Sequence, residues 1–165
     1  MLDGALGTMI QQYGLTEADF RGEEFKNHPV KLEGNNDILV LTRPDIISNI
    51  HRQYLEAGAD IIETCTFNSQ AISQTEYQTT DFVYRINLEA ARLARQEADR
   101  MTALTPDKPR FVAGSVGPTA KMTSMSPDVE NPALRAVDYD TLCKAYVEQM
   151  EALMEGGVDA LLIET

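Results

Sequence analysis

Apolar residues in this chain form two kinds of run. In the first they recur every three or four positions. After Pro44, residues Ile46, Ile47, Ile50, Tyr54 and Leu55 share one helical face, which predicts a helix that Pro44 opens, Thr42 caps and Gly58 ends. Phe82, Ile86, Leu93 and several alanines mark a longer helix from about Asp81, an N-cap type, to about Ala103, stopping before Pro106. Leu142, Tyr146, Val147, Met150, Leu153 and Met154 predict a third helix over about 140–155, with its Tyr and Met positions read as core. The second kind of run does not alternate. Ile61-Ile62, residues 111–113 and residues 160–163 are short and continuously apolar, as expected of strands covered on both faces. Residues 16–37 and 120–137 read as loop.

One phrase occurs twice. EAGADIIET at 56–64 returns as EGGVDALLIET at 155–165. Each copy is a helix end, a glycine turn and a buried strand that closes on Glu-Thr. The order strand, helix, strand, helix, strand, helix, strand predicts an α/β fold with a parallel sheet and outer helices. No G-x-G-x-x-G follows any strand, so the dinucleotide-binding version of such a sheet loses its best support. The chain opens within a strand and closes on one. The expected architecture is the first half of a (βα)8 TIM barrel, about strands 1 to 4, with residues 1–165 forming a partial barrel truncated at both ends.

Composition narrows the function. The 165 residues carry a formal net charge of −12, which argues against nucleic acid and anionic membrane surfaces as partners. No apolar run is long enough for a transmembrane helix, and no signal peptide is evident, so a cytoplasmic location is expected. The two cysteines, Cys65 and Cys143, form no motif, and His28 and His51 have no ligand-like spacing, so no metal site is expected within this chain.

In a barrel the strand ends converge on one face, where ligands bind. That rim is expected to present Asp3-Gly4, Glu63-Thr64-Cys65, Gly114-Ser115 and Glu164-Thr165. Asp3 and Glu164 suit an ammonium group, a metal or acid–base work. The amides of Gly4 and Ala5 can form a nest for a carboxylate. Ammonium plus carboxylate is the signature of an amino-acid ligand. Glu63 also reads as a structural ion-pair partner, Cys65 as a small buried filler, and GSVGPT at 114–119 as tight backbone or an anion-binding loop.

The stretches LDGALGTMIQ, EADFRGEEF, LEGNNDILVLTRPDII, YLEAGADIIETCTFNS, INLEAARLAR, GSVGPT, SMSPDVENPALRAV and GGVDALLIET run in order over nearly the whole chain. Together they resemble the homocysteine-binding module of cobalamin-dependent methionine synthases. EADFRGEEF and GNNDILVLT favour that group over betaine- or S-methylmethionine-using relatives. The resemblance implies a (βα)8 barrel and methyl transfer from methylcobalamin, ultimately from methyltetrahydrofolate, to a zinc-bound homocysteine thiolate. It also implies downstream folate- and cobalamin-binding modules. Carried over by motif, Asp3 and Glu164 hold the substrate amino group and the amides of Gly4 and Ala5 its carboxylate. Glu63, Cys65 and Ser115 stay rim candidates from their strand-end positions alone.

Two departures accompany the resemblance. The family carries Asn where this chain has Cys65. The family's zinc cysteines, including a Gly-Gly-Cys-Cys-Gly stretch, have no counterpart up to Thr165. The piece is therefore expected to supply the amino-acid end of the pocket, to contain no catalytic or zinc-binding residue, and to be inactive alone. Alternative readings are a cobalamin-independent homocysteine methyltransferase, a non-catalytic half-barrel binding module, and an unrelated phosphate-binding enzyme that uses GSVGPT.

Overall fold

The computed structural model describes every residue except 122, 125–127, 129 and 132. Three strands, β1 (Ile61–Glu63), β2 (Phe111–Val116) and β3 (Ala160–Ile163), form a parallel sheet in the order β1-β2-β3. The register pairs Ile62 with Val112 and Ser115 with Leu162. Leu2 forms a parallel bridge to Ile61, and the Asp3 amide donates to the Ile61 carbonyl at 2.9 Å. Four parallel segments thus lie side by side, and the first ends at Asp3.

Among the described residues, seven α-helices accompany the sheet: α1 (Leu6–Gln11), α2 (Glu17–Arg21), α3 (Leu39–Thr42), α4 (Pro44–Glu56), α5 (Ala71–Gln74), α6 (Val83–Leu104) and α7 (Tyr139–Glu155). Helix α6 lies between α4 and α7. Ile47 and Ile50 of α4 and Ile86 and Ala90 of α6 are fully buried in the main core, with Ile38 and Leu39 of the preceding turns. Ile62, Val112, Ala94 and Ala98 continue that core under the sheet. Removing this much apolar surface from water is the chief stabilising term for the layered fold.

Several local expectations change. Arg43, not Thr42, precedes the first turn of α4, with no side-chain cap; the Thr42 hydroxyl donates to the carbonyl of Ile38, just ahead of α3. Asp81 lies in a 3-10 turn, Thr80–Phe82, and α6 begins after it. Asp138 caps α7, accepting from the Thr141 amide at 2.7 Å. Val147 and Met154 face solvent, because the buried face of α7 is Ala145, Gln149, Ala152 and Leu153. β2 runs on through Val116, so Gly114 and Ser115 are strand, not loop.

The segment read as loop at 16–37 contains α2, closed by a Thr16–Asp19 capping box. Glu17 accepts from the Leu32 and Glu33 amides, while Arg21 donates to the His28 and Val30 carbonyls, so one ion pair ties down the following stretch. The loop expected over 120–137 includes all six undescribed residues and to that extent lies outside the description.

The duplicated phrase does the same work twice. Gly58 and Gly157 sit at φ +107 and +94, which a side chain rarely adopts, and each turns the chain from helix to strand. The aspartate that follows then fastens the strand start. The Asp60 carbonyl accepts from the Phe111 amide, and the Asp159 carboxylate accepts from the Val112 amide and Arg95. Asp60 also pairs with Lys108 and the chain's amino terminus, which holds its carboxyl down at about 2.

Candidate functional site

At the carboxyl ends of the strands lies an open cleft of about 460 Å³. The candidate site residues Asp3, Gly4, Ala5, Glu63, Cys65, Ser115 and Glu164 line it, with Thr64; Gly114 and Thr165, also expected on the rim, do not. Each arrives by the same local logic. Glu63 closes β1, Ser115 lies near the end of β2, and Asp3 and Glu164 follow Leu2 and β3, so polar side chains gather at the strand ends, where ligands bind.

Asp3 sits half-buried where the first segment ends. Its Oδ2 accepts from the Glu63 amide at 3.1 Å, while its Oδ1 is buried with no partner. Burial, with the charges of Glu63 and Glu164 added, pushes its carboxyl up to about 7. Glu63 is raised as well, by burial first and then by Glu164. Glu164 is oriented by Ser115, whose hydroxyl donates to Oε1. Ser115 is fixed in turn: its amide donates to Thr64 Oγ1 at 3.0 Å, and its carbonyl accepts from Thr66 Oγ1 at 2.7 Å.

The electrostatics point one way. Among the described lining residues are four carboxyl side chains, Asp3, Asp37, Glu63 and Glu164, and no Lys, Arg or His. An unpaired buried acceptor facing a cluster of acids calls for a cationic ligand. A bare metal ion is a poorer match, because no three His, Cys, Asp or Glu among the described residues are grouped to hold one.

Cys65 lies just past β1 and is buried. Its Sγ donates toward the Asn36 carbonyl and Asp37 Oδ1, and burial beside Asp37 pushes the thiol well above its ordinary range. A thiol so held stays protonated and is no nucleophile. The anion-binding reading of GSVGPT loses its donors, since Gly114 to Val116 pair with β3, the Ser115 amide serves Thr64 and the Gly117 amide serves the Phe67 carbonyl at 3.2 Å.

Asp37, Asn36, Thr66, Phe67 and Asn68 also line the cleft and were not singled out from the sequence. Asp37 sits in a stretch without apolar periodicity. The available signal was Gly34 followed by three polar residues, a glycine-led turn in front of an apolar run.

The chain matches the family described as homocysteine S-methyltransferase over residues 1–165. Among solved structures it is similar to the homocysteine methyltransferase MmuM from Escherichia coli. Against the metallated form the identity is 22%, with 99% of this chain and 52% of that chain covered and a TM-score of 0.72. Against the oxidized form the identity is 22%, the coverages are 97% and 50%, and the TM-score is 0.69. This chain spans about half the length of those structures, and at such identity the likeness carries the fold: part of a TIM barrel.

Proposed function

The chain belongs to the homocysteine S-methyltransferase family, and from that premise we propose that its cleft holds the amino-acid end of homocysteine while the thiol is methylated to give methionine. The observation that carries this reading is the convergence of Asp3, Glu63 and Glu164 on one cleft with an unpartnered Asp3 oxygen and no basic neighbour. Asp3 and Glu164 receive the substrate ammonium, and the Gly4 and Ala5 amides receive its carboxylate. Ser115 holds Glu164 in the orientation that the ammonium requires. Residues 1–165 form the strand 1 to 4 portion of the barrel.

The described residues do not make a zinc site. Cys65 is engaged with Asp37, Cys143 lies on α7, and no grouped ligand set exists among them. The metal that the family resemblance implies would deprotonate the thiol from ligands other than these. The work of this chain is to bind and orient the α-amino acid. As methyl donor we assign methylcobalamin, ultimately methyltetrahydrofolate, with folate and cobalamin modules as partners. The support is the likeness of EADFRGEEF and GNNDILVLT to the cobalamin-dependent group.

The test is calorimetric binding of L-homocysteine to the intact enzyme, followed by turnover with methylcobalamin and with S-methylmethionine or betaine. Losing one charged hydrogen bond at Asp3→Asn or Glu164→Gln should weaken binding about 10- to 100-fold, as expected for about 1.5–3 kcal/mol. Unchanged affinity in both variants would sink the substrate assignment. Turnover with S-methylmethionine or betaine but not methylcobalamin would sink the donor assignment alone.

A further inference from the structure

The cleft wall at residues 64–69 is held from outside itself to an unusual degree. All four carbonyls at 66–69 have partners elsewhere in the fold. Gln149 of α7 donates to Thr66 at 2.8 Å, the Gly117 amide to Phe67 at 3.2 Å, Gln74 of α5 to Asn68 at 3.1 Å, and Asn87 of α6 to Ser69 at 2.7 Å. Gln149, Gln74 and Asn87 are fully buried. Each of these donors holds one acceptor of the wall.

Three donors of the wall converge instead on a single side chain. Asp37 Oδ2 accepts from the Asn68 amide at 2.8 Å and from Ser69 Oγ at 2.9 Å, and Oδ1 faces Cys65 Sγ at 3.9 Å. Asp37 has no salt-bridge partner among the described ion pairs, so its buried carboxylate is satisfied by these hydrogen bonds. The turn that carries it is itself anchored: Gly34 bends it at φ +100, and the Asn35 amide pairs with Gln74 at 2.8 and 3.2 Å. An asparagine in place of Asp37 would keep an acceptor for Asn68 and Ser69 but lose the charge that strengthens both bonds, and would set an amide donor against Cys65.

Resting on the reading of the cleft as the homocysteine pocket, we infer that Asp37 is a positioning residue for that reaction, fixing residues 64–69 so that the acids of the pocket meet the substrate. The path from Asp37 to the substrate is short. Residues 65 and 68 line the cleft with it, and Thr64 and Thr66 in the same wall hold Ser115, which holds Glu164. Loosening the wall therefore weakens the grip on the amino acid in ground and transition state alike, which raises KM and spares kcat.

The experiment uses Asp37→Asn in the intact enzyme, with two readouts. Hydrogen exchange without ligand should show amides at 66–69 exchanging about tenfold faster, while α4 and α6 keep their protection. Kinetics should show KM for L-homocysteine raised about tenfold, with kcat within about threefold. Unchanged exchange at 66–69, acceleration spread evenly over the molecule, or a lowered Tm with unchanged KM would each overturn the assignment. Should Asp37→Asn fail to fold, Ser69→Ala removes one of the three donors and should move both readouts the same way, about threefold; no movement overturns it. If wild type binds no homocysteine, the substrate reading falls, and the ligand-free exchange pattern still decides the role of Asp37.

Discussion

Asp3 carries two testable consequences at the scale of one side chain. Its carboxyl titrates near 7 in the ligand-free cleft, and an ammonium ligand favours the ionised form. Binding below pH 7 should therefore release a proton, and affinity should fall as pH drops through that region. Calorimetry at pH 6 in two buffers of different ionisation heat measures the release, and Asp3→Asn should abolish it. The same group bears on stability. Its folded value lies above the ordinary 3.8, so the folded state binds more protons between about 4 and 7. Ligand-free stability should thus decline with rising pH across that window, more in wild type than in Asp3→Asn, as urea midpoints would show. His51 is a different case: it is fully buried, both ring nitrogens lack partners, and burial lowers it to about 4. His51→Leu should raise stability by about 1 kcal/mol, because an unsatisfied buried polar group is removed. Asp3 and Glu164 were legible in the sequence because each ends an apolar run. Asp37 was not, because its partners Asn68 and Ser69 lie 31 and 32 positions away, a distance no local pattern spans.

Among the elements, the long helices declared themselves and the short ones did not. Helices α4 and α6 bury continuous stripes, so their periodicity is unambiguous. Helices α3 and α5 have four residues each, too few for a period to develop. On α7 the large apolar residues pulled the expected face toward Val147 and Met154. The true face is built on small Ala145 and Ala152 and a buried glutamine that serves the cleft wall. Size, not hydrophobicity alone, decides which side of a helix can approach a sheet closely. The same closeness marks the loop after β2, where a Cβ at Gly117 would overlap the Phe67 carbonyl. Gly117→Ala should displace Phe67 and weaken homocysteine binding, which a crystal structure and calorimetry would check. In the core, Ile47→Ala should cost about 2–5 kcal/mol in urea unfolding.

Over the whole molecule, alternation of strands and helices made a parallel α/β sheet legible, and the family match and fold likeness agree with it. The proposed methyl donor was not legible in that alternation and rests on sequence likeness alone. The described sheet leaves β3 at one edge, with Ile163 exposed, and Val147 and Met154 of α7 are exposed as well. An unpaired apolar edge invites pairing with another chain. Residues 1–165 expressed alone should self-associate in sedimentation, and Ile163→Lys should shift them toward monomer.

The two aspartates that begin strands, Asp60 and Asp159, stand at the opposite end of the sheet from Asp3 and Glu164. Charge at one end fastens; charge at the other waits for a ligand. The two populations of acid share a scaffold and almost no contacts. Selection or an engineer can therefore retune heat tolerance at the strand starts, by altering Lys108 or Arg95, without disturbing substrate preference at the strand finishes.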